Sequence, residues 1–416
     1  MSESKRVVVV GAGVVGAACA YHLSKAGHAV TILDKGGFGA ACSHANCGYV
    51  SPSHVLPLAV PGVVGSTLSA LLKPDSPFTI RPRFDMALIS WLWRFMRRCN
   101  ARDMLAAAQG IAALLNSSRR LYDELFACEP FDCEWTTKGL LFVFQTAKAF
   151  DHYAATDKLL TEKFAMSAKR LDAAQLLALE PALKPVVAGA WHYEGDAHLK
   201  PDKLMAGWRR VLEARGVAIR ENAEVKEFRK EGNVCRSVVT ATDEIPAEAV
   251  VVATGAWTPL LNKHLGCKIP IQPGKGYSLT MARPARCPTY PMLFEEHRVA
   301  VTPFREAYRL GSTMEFAGYD ATLNPKRVEI LRKGARVYLH EPEAEPVLEQ
   351  WWGWRPMTPD SLPVIDRSPA ISNVWIAAGH NMLGLSMSPA TGKLVAELVA
   401  GTTPHVDPRP YRVGRF

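Results

Sequence analysis

One run near the N-terminus limits the fold more than any other. Residues 6–34 read RVVVVGAGVVGAACAYHLSKAGHAVTILD. Residues 7–10 are continuously apolar and β-branched, the pattern of a parallel strand buried on both faces. Gly11, Gly13 and Gly16 then make G-x-G-x-x-G, with Ala12, Val14 and Val15 between them. Residues 17–24 continue as helix, and 28–33 form a second strand ending in Asp34. A glycine turn between strand and helix is the context a dinucleotide fingerprint requires. Gly11 permits the tight turn. Gly13 lets a pyrophosphate approach the backbone, and Gly16 lets helix and strand pack closely. The helix then offers free N–H groups to the phosphates. Asp34, followed by Lys35, lies 18 residues beyond Gly16, where an acid accepts ribose hydroxyls and disfavours a 2′-phosphate. This unit points to a dinucleotide and leaves FAD and NAD level.

Two later segments separate them. Residues 249–257, AVVVATGAW, form an apolar strand running into a second glycine turn with Ala253, Thr254, Gly255 and Trp257. Residues 201–225 before it read as a helix and then a strand. A nicotinamide enzyme usually places its next βαβ unit soon after the first. Here much of the chain intervenes, a layout that fits FAD, whose length is wrapped by distant segments. Residues 373–398, NVWIAAGHNMLGLSMSPATGKLVAEL, repeat the pattern of strand, glycine loop and helix. A helix N-terminus there stabilises the negative charge of a reduced flavin.

Composition excludes other classes. At 416 residues the chain suits two to three domains. Its 48% hydrophobic and 21% charged residues are those of a globular protein, not a disordered, collagen-like or disulfide-scaffold chain. The net charge of +9 is spread out, and no basic run with interleaved aromatics suggests nucleic acid. Nine cysteines without a C-x-x-C pair suit a reducing compartment and argue against a metal site. The apolar run 7–10 is too short for a signal-peptide core. The expected location is the cytoplasm, or peripherally the cytoplasmic face of the inner membrane. The uncharged stretch 55–72 contains Pro57, Pro61, Gly62 and Gly65, so it reads as an irregular loop or lid. Residues 86–96 set Trp91, Trp93 and Phe95 beside Arg94, Arg97 and Arg98. Such a helix either covers a domain or lies in a membrane interface.

Five segments in order carry a family resemblance: GAGVVG (11–16), SHANCGYVSP (43–52), KGYSLT (275–280), GWRPMTPDSLPVID (353–366) and GHNMLGLSM (379–387). Together they resemble the D-amino-acid-oxidase-like FAD-dependent oxidoreductases, nearest to the D-amino-acid dehydrogenases of small catalytic-subunit type. The resemblance implies an α/β fold in which a Rossmann-like FAD domain is interleaved with a substrate domain of mostly antiparallel sheet plus helices. The expected division gives 1–80, 140–260 and 345–416 to the FAD domain, and 81–139 and 261–344 to the substrate domain. It implies FAD, held non-covalently, on Gly11, Ala12, Gly13, Val14, Val15, Gly16, Asp34 and Lys35. Val225 would meet the adenine, and Ala253, Thr254, Gly255 and Trp257 would lie near the pyrophosphate. Ser43, His44, Ala45, Asn46, Cys47 and Gly48 would pass the flavin ring, with Gly379, Leu383, Gly384 and Leu385 near its carbonyls. Some relatives bond a His covalently to flavin three residues before the loop glycine; His44 stands four before Gly48.

The resemblance also implies oxidative deamination of a D-amino acid to a 2-oxo acid and ammonia, by hydride transfer from Cα to flavin N5. The electrons would go to a quinone or other carrier rather than oxygen. Arg suits the substrate carboxylate, because its planar fork matches both oxygens. Arg355 in W-R-P is the first candidate, with Arg305 and Arg309 behind it. Tyr277 and His380 are candidates to shape the pocket. The amine must be neutral, and desolvation favours that state. Three alternatives stand beside this reading: a hydroxyproline or proline dehydrogenase or glycine or sarcosine oxidase of the same family, a nicotinamide enzyme, and a non-catalytic flavin-bearing subunit.

Overall fold

The computed structural model describes residues 3–65 and 76–416. The valine run forms the strand Arg6–Val10, paired in parallel with Ala29–Leu33 on one side and Ala249–Val252 on the other. Ala218–Arg220 extends one edge of this sheet and Val374–Ala378 the other, and antiparallel Val364–Arg367 completes six strands. Val7, Val8, Val9, Val250, Val251 and Val252 are all buried, as a strand covered on both faces requires.

Helices Val14–Lys25 and Gly384–Ala400 pack together against this sheet. Gly392 allows their close approach, since a Cβ there would stand 2.4 Å from the Ala18 carbonyl oxygen. The long helix Ala101–Cys128 lies against the last one. Its Tyr122 hydroxyl donates to Leu385 O (2.8 Å), and its Ser118 Oγ accepts from Ala390 N (3.1 Å).

The second large sheet has nine strands and is mostly antiparallel. Its order runs Val347–Met357, Gln272–Ala282, Ala307–Phe316, Val299–Pro303, Met292–Phe294, Leu140–Phe144, Gly189–Tyr193, Lys169–Asp172, with Phe78–Ile80 beside Ala307–Phe316. Helix Pro325–Tyr338 covers one face, where Val328, Leu331 and Ala335 pack with Tyr277, Leu279 and Met281.

Membership of this sheet departs from the expected division. The strands within 140–193, and Val347–Met357, which the expected division gives to the nucleotide side, pair here. Helix Ala101–Cys128 was assigned to the substrate side but packs on the last helix. The physical reason is that an apolar run such as LLFVF (140–144) fits the interior of either sheet, so strand pairing rather than composition decides its place.

Of the stretch expected to form a loop or lid, residues 66–72 lie outside the described residues. Residues 51–62 are irregular, anchored where Leu58 N donates to Ser361 Oγ (3.1 Å). Residues 63–65 are helical, so the loop expected there ends sooner: after Pro61 and Gly62 no proline remains in that stretch to stop a helix. The Trp-Arg segment is the helix Met86–Arg98, capped by Asp85, which accepts from Ala87 N and Leu88 N. No described helix is long and apolar enough to cross a membrane.

Candidate active site

The glycine turn has the geometry its sequence demands. Gly11 sits at φ +108°, and a Cβ on it would meet Ala253 O at 2.4 Å. A Cβ on Gly16 would meet Gly11 O at 1.9 Å, so helix and turn touch through bare backbone. At Gly13 only Ser43 Oγ is near, at 3.3 Å. No side chain of the Gly13 cap accepts from the helix Val14–Lys25, and its first turn holds no acid. Asp34 accepts from Ala12 N (2.7 Å) and Gly36 N (2.8 Å), so the acid braces the turn while each oxygen keeps a lone pair. Lys35 Nζ lies 4.0 Å from the centre of the Trp257 ring, and burial lowers its pKa. Val225 is partly buried beside Leu33 and Val252, while Gly255, at φ +54°, opens the turn after Ala249–Val252.

The loop 43–48 bridges the two sheets. Ser43 Oγ accepts from Val14 N (3.0 Å) at the helix N-terminus. The following carbonyls are held by the antiparallel sheet: Ser278 Oγ donates to Ala45 O (2.8 Å), Arg309 Nη1 to Asn46 O (2.8 Å) and Thr302 Oγ1 to Cys47 O (2.7 Å). Gly48 then turns at φ +74°, where a Cβ would meet Leu199 O at 2.0 Å. Beyond it, Tyr49–Val50 pairs with Ala197–His198.

Arg355 lies against this loop. Three glycines on adjacent strands leave bare backbone there. A Cβ at Gly353 would stand 3.2 Å from Cys42 Cα, one at Gly311 2.6 Å from Cys47 Sγ, and one at Gly276 2.4 Å from the Arg355 guanidinium. Gly276 and Gly353 face each other in register. Arg355 Nη1 donates to Thr313 O (2.9 Å). Burial lowers its pKa, and no carboxylate pairs with it among the described residues. A half-buried cation without a counter-ion favours an anionic ligand.

The arrangement has counterparts. A family model described as FAD dependent oxidoreductase (DAO) matches residues 6–398. The chain belongs to this family. A D-amino acid dehydrogenase of Granulibacter bethesdensis is 32% identical over 99% of both chains, and one of Methylobacterium nodulans 34% over 96% of both. Among solved structures, glycine oxidase from Geobacillus kaustophilus superposes at TM-score 0.78 with 24% identity, covering 99% of this chain and all of that one. L-proline dehydrogenase from P. horikoshii gives 0.74 at 21% identity, over 100% of this chain and 98% of that one. These two establish the shared fold.

The residues of this FAD-dependent oxidoreductase fit the cofactor. Beyond the open turn at Gly13, a second helix, Gly384–Ala400, begins without a side-chain cap or an acid in its first turn. Its N-terminal amides follow Leu383, and Gly384 and Leu385 lie in that first turn. Gly379, at φ +79°, lies against Thr358, whose backbone N–H donates to Asn381 Oδ1 (2.8 Å).

Other candidates fall elsewhere in the flavoenzyme. Arg305 is largely exposed, its guanidinium 3.6 Å from Asp132, so it does not join Arg355. It follows strand Val299–Pro303, in a turn that points it to solvent. Tyr277 is buried on the opposite face of the sheet from Ser278, because successive strand residues alternate. Its hydroxyl donates to Glu315 Oε2 (2.5 Å). His380 is enclosed, its Nε2 3.0 Å from Thr391 Oγ1, and burial drops its pKa to about 3. It is a neutral packing residue. Arg309 is buried and spent on Asn46 O and on Thr280 Oγ1 (2.8 Å), so it anchors the loop. His44 bonds Glu349 Oε1 at 2.8 Å, and that hydrogen bond raises its pKa.

Sequence reasoning missed the loop anchors Ser278 and Thr302, the glycines 276, 311 and 353, and Asn381. Gly276, Ser278, Gly353 and Asn381 lie within the family segments without a role assigned to them, while Thr302 and Gly311 lie outside; a small residue inside a strand, as in G-Y-S and W-G-W, signals close approach.

Proposed function

We propose that the protein oxidises a D-amino acid to the imino acid, which hydrolyses in water to a 2-oxo acid and ammonia. Its electrons go to a quinone or similar membrane-borne carrier rather than oxygen. FAD, when bound, supplies the two-electron oxidant. The observation that carries this reading is Arg355, a half-buried guanidinium with a pKa lowered by desolvation and no counter-ion among the described residues, beside the 43–48 loop. The bond from Nη1 to Thr313 O fixes the plane of the fork. The remaining donors clamp the substrate carboxylate, and Cα is thereby positioned. The same desolvation lowers the pKa of the substrate ammonium and favours the neutral amine.

In this reading the amides of Gly11–Gly16 hold the pyrophosphate with support from Ala253, Thr254 and Gly255. Asp34 meets the ribose through its remaining lone pairs, and Val225 meets the adenine. Ser43–Gly48 would hold the flavin ring together with Gly379 and the amides of Leu383, Gly384 and Leu385. The engagement of His44 with Glu349 supports non-covalent attachment. The names of the relatives support the D-configuration and the dehydrogenase activity.

The test is an anaerobic visible spectrum of the purified protein with D-alanine, D-proline and their L-enantiomers. Bleaching by D-forms only, with slow recovery in air and fast recovery with a quinone, is expected. Bleaching by glycine or L-proline alone would replace the substrate assignment with that of the fold relatives. Rapid recovery in air would make the protein an oxidase.

A further inference from the structure

We infer that the outer face of helix Met86–Arg98 docks on an anionic phospholipid bilayer. This helix is apolar on two opposite sides. Its inner side carries Leu88 and Trp91, with Phe95 partly buried beside them. Trp91 Nε1 donates to Met357 O (2.9 Å), and its ring stacks on Phe95 at 5.2 Å. That side is fully used, and it seats the helix two residues from Arg355 on the same strand.

Among the described residues the outer side has no such cover. Met86, Ile89, Trp93 and Met96 recur at three- and four-residue steps, so they share one face. All four are exposed, Trp93 to 53%, and Phe84 just before the helix is 91% exposed. The other large exposed apolar side chains among the described residues are scattered singly over the chain, as on any soluble surface. A contiguous stripe is different and marks an interaction site.

Charge selects the partner. Arg97 lies along one edge of the stripe, and Arg94 one step further round, half-buried with its Nε enclosed; neither forms an ion pair among the described residues. Arg97 instead stacks 4.7 Å from the Trp93 ring. Arg98, at the end of the helix, is 3.5 Å from Asp103. Tryptophan and long apolar side chains with arginines at their edge match the boundary between lipid headgroups and acyl chains. The helix carries no carboxylate, so a second copy meeting it through the same face would bring no counter-charge from its own helix. The purpose of the surface rests on the proposed membrane-borne acceptor; the binding does not, so the two fail separately.

The experiment is co-sedimentation of the purified holoprotein with phosphatidylcholine vesicles, with and without phosphatidylglycerol. Binding is expected to be weak on neutral vesicles and stronger on anionic ones, with the difference shrinking as salt rises. Arg97→Gln should weaken partition onto anionic vesicles by about fivefold, the effect of one surface arginine, and leave neutral vesicles unaffected. Ile89→Ser with Trp93→Ser should abolish binding to both. Every variant should keep its flavin, its melting temperature and its turnover with a water-soluble dye. Failure of the wild-type protein to bind vesicles overturns the inference, as does equal binding by the serine variant. So does a stripe-dependent dimer, seen by sedimentation velocity, that does not bind vesicles.

Discussion

The glycine turn and the Arg355 patch are both places where backbone replaces side chain, yet they arise differently. At the turn, Gly11 and Gly16 meet within six residues of sequence, and the neighbouring strand supplies Ala253. At the patch, Gly276, Gly311 and Gly353 come from three strands aligned by the sheet, against a loop from the far end of the chain. The first is a local motif with one tertiary contact. The second exists only as a consequence of register. The loop 43–48 joins them, with Ser43 on the helix and Ala45, Asn46 and Cys47 on the sheet.

The contrast predicts separable failures. The largest belongs to Gly16→Ala, whose Cβ would stand 1.9 Å from Gly11 O. Helix and turn must part, so the protein should purify colourless or fail to accumulate; a yellow variant with full FAD content would break the distinction. Arg355→Lys should keep FAD but lower kcat/KM for amino acids by about 10²-fold, since charged hydrogen bonds contribute about 1.5–3 kcal/mol. Steady-state kinetics beside a flavin spectrum check this, and unchanged kinetics would remove the carboxylate role.

Tyr277→Phe tests the back of the same strand. It leaves Glu315 short of a partner, and the expected cost is about 1–3 kcal/mol of stability with KM unchanged. A changed KM would place the phenol in the pocket after all.

Asp196 tests the seam beyond the loop. Its carboxylate accepts from Ser53 N (3.0 Å) and Ser53 Oγ (2.5 Å), and burial pushes its pKa up to about 7. Folding therefore retains a proton that the unfolded chain releases near its ordinary value of 3.8. Stability from this group is undiminished below that value, falls as pH rises, and the loss is complete above about 7. Thermal melts between these limits should show a slope that Asp196→Asn flattens; an identical slope would exclude Asp196 as its source. The smallest effect belongs to Arg305→Ala, where stability should stay within about 0.5 kcal/mol and kinetics should not change. A raised KM would bring that arginine into the site.

The fingerprint of strand, glycine turn, helix and acid was legible because each part acts on its neighbours in sequence. The valine run is continuous because its strand is covered on both faces, and Asp34 stands close enough in sequence to brace the turn through Ala12 N. Motif order also carried the two-sheet architecture and FAD. Tyr277 and His380 misled because an aromatic or imidazole in a motif reads alike whether its tip meets a ligand or a core partner. Strand alternation sends Tyr277 to Glu315, and helix packing gives His380 to Thr391. Arg305 and Arg309, four residues apart, likewise look equivalent in sequence, yet one lies in solvent and the other is buried under the loop.

By itself, then, the sequence determined the dinucleotide turn, the class of fold and the family, because local sterics of glycine and burial of β-branched runs act over short distances. Tertiary structure alone decided which sheet residues 140–193 joined, that Arg355 met the loop without a counter-ion, and which side of helix Met86–Arg98 remained uncovered by the described residues. Those outcomes depend on register and on which elements pack together. Register shifted by one residue exchanges the two faces of a strand.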